Sequence, residues 1–274
     1  MNIRGLLRAI DEAVFPSNIY CMICGALIDK SRPYSLCDEC VGKLHWINES
    51  IQEDGTVQRT CAKCGKALPA SYRGARCYDC MSTEHFFERG FSCLTYGLHE
   101  RELMMDLKYN GKSYIAAKMG EVMFDRMAAE IVAGALSVDV VVPVPVSEER
   151  LRKRGYNQAG IMAKAFVRTW ADTCGEDEAC APAPKCCTNA LRRIKNTQML
   201  RSLNPAERVM AMQGAFESTS AGRLAIQGKN VLLIDDIYTT GATADACSRT
   251  LLESGANKVY LLTLASGGNR KPIL

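Results

Sequence analysis

With 274 residues, 47% hydrophobic and 23% charged, the chain has the composition of a folded globular protein, which excludes disorder as its general state. The length holds one ordinary domain plus something smaller, or two modest domains. The formal net charge is +4, and no apolar run reaches the roughly 18 residues that would predict a transmembrane helix.

Met1 to Phe15 reads as a short amphipathic helix. Leu6, Leu7, Ile10, Ala13 and Val14 fall on one face, and Arg4, Arg8, Asp11 and Glu12 lie among the apolar residues. Charges placed this way do not suit a secretion signal, so a cytoplasmic protein is expected.

Two identical four-cysteine frames follow. Cys21-x2-Cys24 with Cys37-x2-Cys40 is repeated forty residues later, position for position, by Cys61-x2-Cys64 with Cys77-x2-Cys80. Gly25 and Gly65 follow the first pair of each frame, as in a zinc knuckle, where a tight turn lets backbone N–H groups face the sulfurs. A tetrahedral Zn–S4 site needs two such pairs, and four cysteines leave no open coordination position, so two structural zinc ions are expected. Pairing within each frame is the simpler connectivity; an interleaved one also satisfies the spacing. Eight thiolates on two zinc ions contribute about −2 per site, which brings the net charge to roughly zero. Overall charge then argues nothing about nucleic acid; only local patches can. Leu44 to Thr60 reads as a linker and outer arm. His45 and His85 lie close behind Cys40 and Cys80 and read as packed or solvated side chains, not ligands. The helix and double ribbon together take residues 1–86, leaving 87–274 for a second domain.

After Cys80 strands alternate with helices, which predicts a mostly parallel sheet covered by helices. Gly90 to Tyr96 reads as a strand. Arg101 to Tyr109 reads as a helix ended near Asn110-Gly111, and Ser113 to Ala133 as a second helix with Ala116, Met119, Met123 and Met127 in the core. Asp139 to Val146 reads as a buried strand running into a turn at Pro143 and Pro145, which cannot donate ladder bonds. A cation-rich loop then carries Arg150, Arg152, Lys153 and Arg154, followed by Gly155-Tyr156-Asn157-Gln158 and a helix from about Ala159 to Ala171. A glycine-hinged basic loop at a strand's C-terminal edge is a place for phosphate. Residues 172–190 read as irregular; Cys174, Cys180, Cys186 and Cys187 form no CxxC pair, so no third metal site is expected, while redox coupling of two of them stays open. Arg192 to Phe216, with Arg192, Arg193, Lys195, Thr197, Arg201 and Arg208, reads as a mobile basic segment.

Val231-Leu232-Leu233-Ile234 is a strand apolar on both faces, followed by Asp235-Asp236, then Tyr238-Thr239-Thr240-Gly241-Ala242-Thr243, then a helix from about Ala244 to Ser254. A turn between a strand and a helix N-terminus aims free N–H groups at one point, which suits a phosphate. Two adjacent carboxylates suit sugar hydroxyls, or magnesium held with its phosphates. Lys258 to Ala265 is the last predicted strand, beside the motif strand.

The stretch from Val231 to Thr243 resembles the phosphoribosyl-diphosphate (PRPP) motif of type I phosphoribosyltransferases. Taken with the cysteine frames, Asp106-Leu107-Lys108-Tyr109-Asn110-Gly111, Pro143-Val144-Pro145 and Arg154-Gly155-Tyr156-Asn157-Gln158, the chain resembles the ComF family, phosphoribosyltransferase-like proteins associated with DNA uptake in competent bacteria. The resemblance implies a type I phosphoribosyltransferase-like α/β fold behind a double zinc ribbon. It places Asp235 and Asp236 on the ribose hydroxyls as the catalytic pair, Thr239, Thr240, Gly241, Ala242 and Thr243 around the 5-phosphate, and Arg154 and Lys108 near the diphosphate, with magnesium accompanying PRPP. Ala211 departs from the family, which usually has Asn before the Ala215-Phe216 pair. Three functions fit. One is phosphoribosyl transfer to a nitrogen acceptor, in nucleoside metabolism or DNA uptake. The second is single-stranded DNA binding beside uptake-machinery proteins, for which the aromatic complement, Tyr156 and Trp170, is sparse. The third is PRPP sensing without turnover.

Overall fold

The structure, a computed structural model, describes residues 19–47, 58–109, 112–175, 180–195 and 205–269. The expected N-terminal helix, the middle of the 44–60 linker, Asn110, Gly111, Thr197, Arg201 and the Arg208 side chain lie outside these residues. The chain divides into two compact units, Met1–Leu44 and His45–Leu274. Compactness thus divides the chain between the two cysteine frames, whereas the sequence reading places both frames in one region, 1–86.

The first unit holds the first frame and helix α1 (Asp38–Lys43). The second frame, with helix α2 (Tyr78–Ser82), opens the larger unit. Internally the frames are copies. Tyr20 bridges to Leu27 and Thr60 to Ala67, and Gly25 and Gly65 both have φ of 72°.

The larger unit is built on a five-stranded sheet in the order β1 (Gly90–Thr95), β7 (Lys258–Ser266), β6 (Asn230–Tyr238), β2 (Val140–Pro143), β3 (Lys185–Cys186). Every neighbouring pair is parallel, with Val231 opposite both Val140 and Val259. Parallel strands need crossovers and both faces covered, and the apolar runs at 140–142 and 231–234 supply that. Helices α3 (Leu98–Tyr109), α4 (Ser113–Val132), α5 (Glu148–Arg154) and α6 (Gln158–Cys174) separate β1, β2 and β3. Strands β4 (Leu191–Arg193) and β5 (Phe216–Ser218) pair antiparallel as a separate ribbon, with helix α7 (Pro205–Met212) between them. Helix α8 (Ser220–Ile226) leads to β6, and α9 (Ala242–Glu253) connects β6 to β7. Helices α4 and α6 pack as a pair against the sheet, with Met119, Met123 and Met127 fully buried as expected.

Three local expectations are corrected. The basic run 150–154 is a helix and not a loop: Ser147 caps it by accepting from the Arg150 N–H, Glu148 and Glu149 sit in its first turn, Arg152 to Arg154 in its last, and Gly155 closes it at φ 80°. The segment from Arg192 is partly ordered by the β4–β5 pairing. Residues 172–190 contain a Cys174–Cys180 disulfide and the edge strand β3.

The second frame is part of the sheet's own core. Cys61, Cys64, Cys77 and Cys80 share one apolar cluster with Val140, Val231, Leu233, Tyr238, Cys247 and Leu251. A Cβ on Gly65 would stand 2.5 Å from the Gly90 carbonyl oxygen, whereas one on Gly25 would meet nothing within 4 Å. Both substitutions carry positive-φ strain, but only Gly65→Ala adds a backbone clash. Gly65→Ala should destabilise the larger unit by about 2–4 kcal/mol, and Gly25→Ala should leave that unit's unfolding midpoint unchanged; denaturation followed by a probe in the sheet checks both.

Candidate functional site

Strand β6 carries its carboxylates to the C-terminal edge of the sheet, where open α/β folds place ligands. Asp236 is buried and Asp235 half-buried. The Asp236 N–H donates to Asp235 Oδ1 at 2.8 Å, which fixes the pair back to back. Two groups reach in to Asp236 Oδ2: Lys108 Nζ of α3 at 2.6 Å and Gln158 Nε2 of α6 at 3.1 Å. The two acids therefore titrate in opposite directions. Burial, reinforced by the charge of Asp236, raises the Asp235 pKa well above the ordinary carboxylate value. Burial works the same way on Asp236, but the Lys108 charge and the Lys108 and Gln158 hydrogen bonds outweigh it, and the net shift is downward.

The Arg154 to Gln158 run supports this pair residue by residue. An Arg154 guanidinium N–H donates to Gln158 Oε1 at 3.2 Å, which orients the amide so that its NH2 faces Asp236. Gly155 ends α5, and the Tyr156 hydroxyl donates to the Leu107 carbonyl at 2.9 Å, pinning α3 beside Lys108. Asn157 caps α6 by accepting from the Ala159 N–H and donates to the Val144 carbonyl in the proline turn.

Beyond the acids the chain turns through Thr239, Thr240 and Gly241 into α9, whose first residue is Ala242. Gly241 sits at φ 87°, in the left-handed region, and starts the helix with no side-chain cap, so the first N–H groups are aimed outward from the turn. The Thr240 hydroxyl is buried with no hydrogen-bond partner among the described residues, a donor that waits for an oxygen. Acids, turn, Lys108, Arg154, Arg150 and Arg193 line one cavity of about 470 Å³. Burial, followed by the repulsion of Arg150, lowers the Arg193 pKa.

The sulfurs of each cysteine frame cluster within the frame, all within 4.8 Å of one another, which removes the interleaved alternative. The spacings of 3.7 Å for Cys24–Cys37 and 3.6 Å for Cys64–Cys77 match the edge of a Zn–S4 tetrahedron, about 3.8 Å for 2.3 Å bonds. Cys40 N–H faces Cys37 Sγ at 3.4 Å, and Cys77 N–H faces Cys61 Sγ at 3.2 Å. Each frame could hold a metal ion with no position left open. All four cysteines of the second are buried, while Cys24 of the first is exposed. The histidines stay outside both frames: His45 binds the buried Glu100, and His85 is buried against Asp245.

No family model matches the chain. Curated relatives do. DNA utilization protein YhgH of Escherichia coli is 25% identical over 232 residues, 84% of this chain and 94% of the relative. Competence protein F of Haemophilus influenzae is 24% identical over 234 residues, 84% of this chain and 96% of the relative. Competence protein ComFC of Bacillus subtilis is 27% identical over 80% of this chain and 79% of the relative. The chain is related to the ComF competence proteins. Among solved structures, the allosteric regulatory enzyme of purine biosynthesis aligns at 16% identity and a TM-score of 0.34, over 58% of this chain and 29% of that one. Glutamine phosphoribosylpyrophosphate amidotransferase from B. subtilis, complexed with ADP and GMP, aligns at 15% identity and 0.35, over 58% and 30%.

The residues that the sequence assigned to PRPP all line the one cavity: Asp235, Asp236, Thr239 to Thr243, Arg154 and Lys108. Gln158 received no role from the sequence, because nothing in a linear pattern shows that its amide turns onto a strand 78 residues away. Lys108 is not free for a ligand in this state; it is committed to Asp236.

The opposed shifts give stability consequences of opposite sign. A raised Asp235 pKa stabilises the fold below the unfolded value of 3.8 and is lost as pH rises through the folded value. Asp235→Asn should therefore raise the unfolding midpoint of the ligand-free protein at pH 7, with the gain vanishing toward pH 3.8. The depressed Asp236 pKa works the other way, present above 3.8 and lost as pH falls. Lys108→Met, which leaves Asp236 buried and unpaired, should cost about 2–4 kcal/mol at pH 7. Denaturant titrations across this range test both signs.

Proposed function

We propose that this chain binds PRPP with magnesium at the Asp235–Asp236 edge of β6 and acts in DNA uptake or utilization. One observation carries the reading. An acid pair, Asp236 buried and Asp235 half-buried, and a threonine hydroxyl with no partner among the described residues, in a helix-starting turn, line one cavity. The carboxylates would accept hydrogen bonds from the ribose 2- and 3-hydroxyls. The turn from Thr239 to Thr243 would donate backbone N–H groups and the Thr240 hydroxyl to the 5-phosphate, with the positive end of α9 behind them. Arg154 would face the diphosphate, and Lys108 would leave Asp236 for the same anion once the ribose hydroxyls take its place. The acceptor capacity of the dyad fits a magnesium-bearing ligand, and magnesium supplies charge neutralisation on the leaving diphosphate.

Such a site supports phosphoribosyl transfer to a nitrogen nucleophile. C1 gains positive character as the diphosphate departs, and the nucleophile enters from the opposite face, with no covalent protein intermediate. The protein's part is positioning and charge stabilisation. The DNA context comes from the relatives' names, DNA utilization protein and Competence protein. A stacking platform for single strands finds no support in the two aromatics singled out in the sequence: Trp170 is 1% exposed and donates to the Ala181 carbonyl, and Tyr156 is tied to Leu107. The cysteine frames are proposed to hold one structural zinc ion each, in a cytoplasmic protein organised in sequence as a ribbon region, 1–86, and a phosphoribosyltransferase-like region, 87–274.

Calorimetry with magnesium and PRPP tests the reading. Wild type should bind with measurable heat, and the Asp235→Asn, Asp236→Asn double variant should bind at least about 100-fold more weakly, the equivalent of two lost charge-assisted hydrogen-bond partners. No heat with wild type would remove the pocket reading, and unchanged heat in the double variant would move the pocket elsewhere. Metal analysis of protein purified under reducing conditions should return about two zinc ions per chain, one for each closed four-cysteine site.

A further inference from the structure

His85 hangs five residues beyond the last ligand of the second cysteine frame, and its side chain is fully buried. It touches both ends of the proposed anion turn. At the exit, His85 Nδ1 lies 2.8 Å from Asp245 Oδ2 in the first turn of α9, and the Phe86 N–H donates to Asp245 Oδ1 at 3.1 Å. At the entry, His85 Nε2 lies 3.3 Å from the hydroxyl of Tyr238, the last residue of β6. The imidazole is held in plane by stacking on Phe87, with ring centres 5.0 Å apart.

The turn closes down on this bridge. A Cβ on Gly241 would stand 2.7 Å from the Tyr238 hydroxyl and 2.9 Å from His85 Cε1. Glycine is therefore required there both by φ and by the histidine beneath it. The frame also grips Tyr238 directly: Lys66, buried and paired with Asp79 at 2.6 Å, sits 5.2 Å from the centre of the Tyr238 ring. The residues between β6 and α9, Thr239 to Gly241, would by themselves sample many shapes. Here one buried side chain ties its two ends together.

We infer that His85, Asp245 and Tyr238 are positioning residues through which the second cysteine frame holds the 239–243 turn in its anion-binding shape. The inference rests on the proposed role of that turn only for its functional consequence; the mechanical link stands on its own. It also separates the two frames, since the first lies in the other compact unit and supplies no residue to this bridge.

Hydrogen–deuterium exchange at the first bonded amides of α9, beginning with Asp245, whose N–H donates to the Gly241 carbonyl at 2.8 Å across the turn, tests the link without any ligand. In His85→Ala and Asp245→Ala, exchange of these amides should rise roughly tenfold or more relative to wild type, as expected for losing a buried charged hydrogen bond, while the 231–234 amides stay protected and zinc remains at two per chain. His85→Asn, which keeps a donor toward Asp245, and Tyr238→Phe, which removes only the entry contact, should fall between. Should His85→Ala fail to fold, Tyr238→Phe and Asp245→Asn decide the matter. Cys24→Ser should lower zinc by one and leave exchange of these α9 amides at the wild-type level. Unchanged exchange in the folded variants, or a rise shared equally by 231–234, would overturn the inference. A wild type that binds no PRPP would overturn the proposed function while leaving this exchange measurement decisive. If both hold, His85→Ala should also weaken magnesium–PRPP binding by roughly tenfold.

Discussion

Two adjacent carboxylates at the end of a buried parallel strand pose an electrostatic problem that the rest of the molecule is arranged to solve. Left alone, each would be pushed toward its neutral form by burial and by the other. The fold solves it asymmetrically. Lys108 from α3 and Gln158 from α6 converge on Asp236 and keep it charged, while at Asp235 burial and the charge of Asp236 outweigh the pull of Lys108 and the pKa is pushed up. That convergence requires α3, α5 and α6 to be held together, and the Tyr156–Leu107 and Asn157–Val144 bonds contribute to this. Placing two carboxylates side by side at a buried strand end lowers stability, an arrangement characteristic of ligand sites.

The same logic distinguishes the two cysteine frames. As local structures they are duplicates, with matching bridges, matching glycine dihedrals and matching sulfur clusters. Their surroundings differ. The first frame exposes Cys24, and a Cβ on its glycine would meet open space, whereas the second contributes four buried sulfurs to the core of the sheet unit. Duplication gives two copies of a fold, and packing within the larger unit sets the second copy beneath the β6–α9 turn.

Much of this was legible in the sequence because the signals were local. The CxxC spacing, the valine and leucine runs of β2 and β6, and the Asp-Asp-turn-helix order each depend on residues close in the chain, and each reappears in the structure. The helix at 148–154 shows that charge alone is a poor guide: its four cations suggest a solvated loop, yet Ser147, the two glutamates and Gly155 together are complete helix signals. The roles of Gln158 and His85 were not legible at all. Gln158 and His85 act through contacts with residues 78 and 160 positions away, and no periodicity carries that information. The pairing of β4 with β5 was hidden for the same reason: cationic β4 and the stretch leading to β5 look like solvated chain until the two strands meet.

The central claim is that the acid pair and the turn form one PRPP site, and a crystal structure determined with magnesium and PRPP tests it most directly. The account predicts ribose hydroxyls on Asp235 and Asp236, the 5-phosphate within the 239–243 turn and in contact with the Thr240 hydroxyl, and Lys108 withdrawn from Asp236. Ligand density elsewhere, or a Lys108–Asp236 pair unchanged beneath a bound ligand, would contradict it.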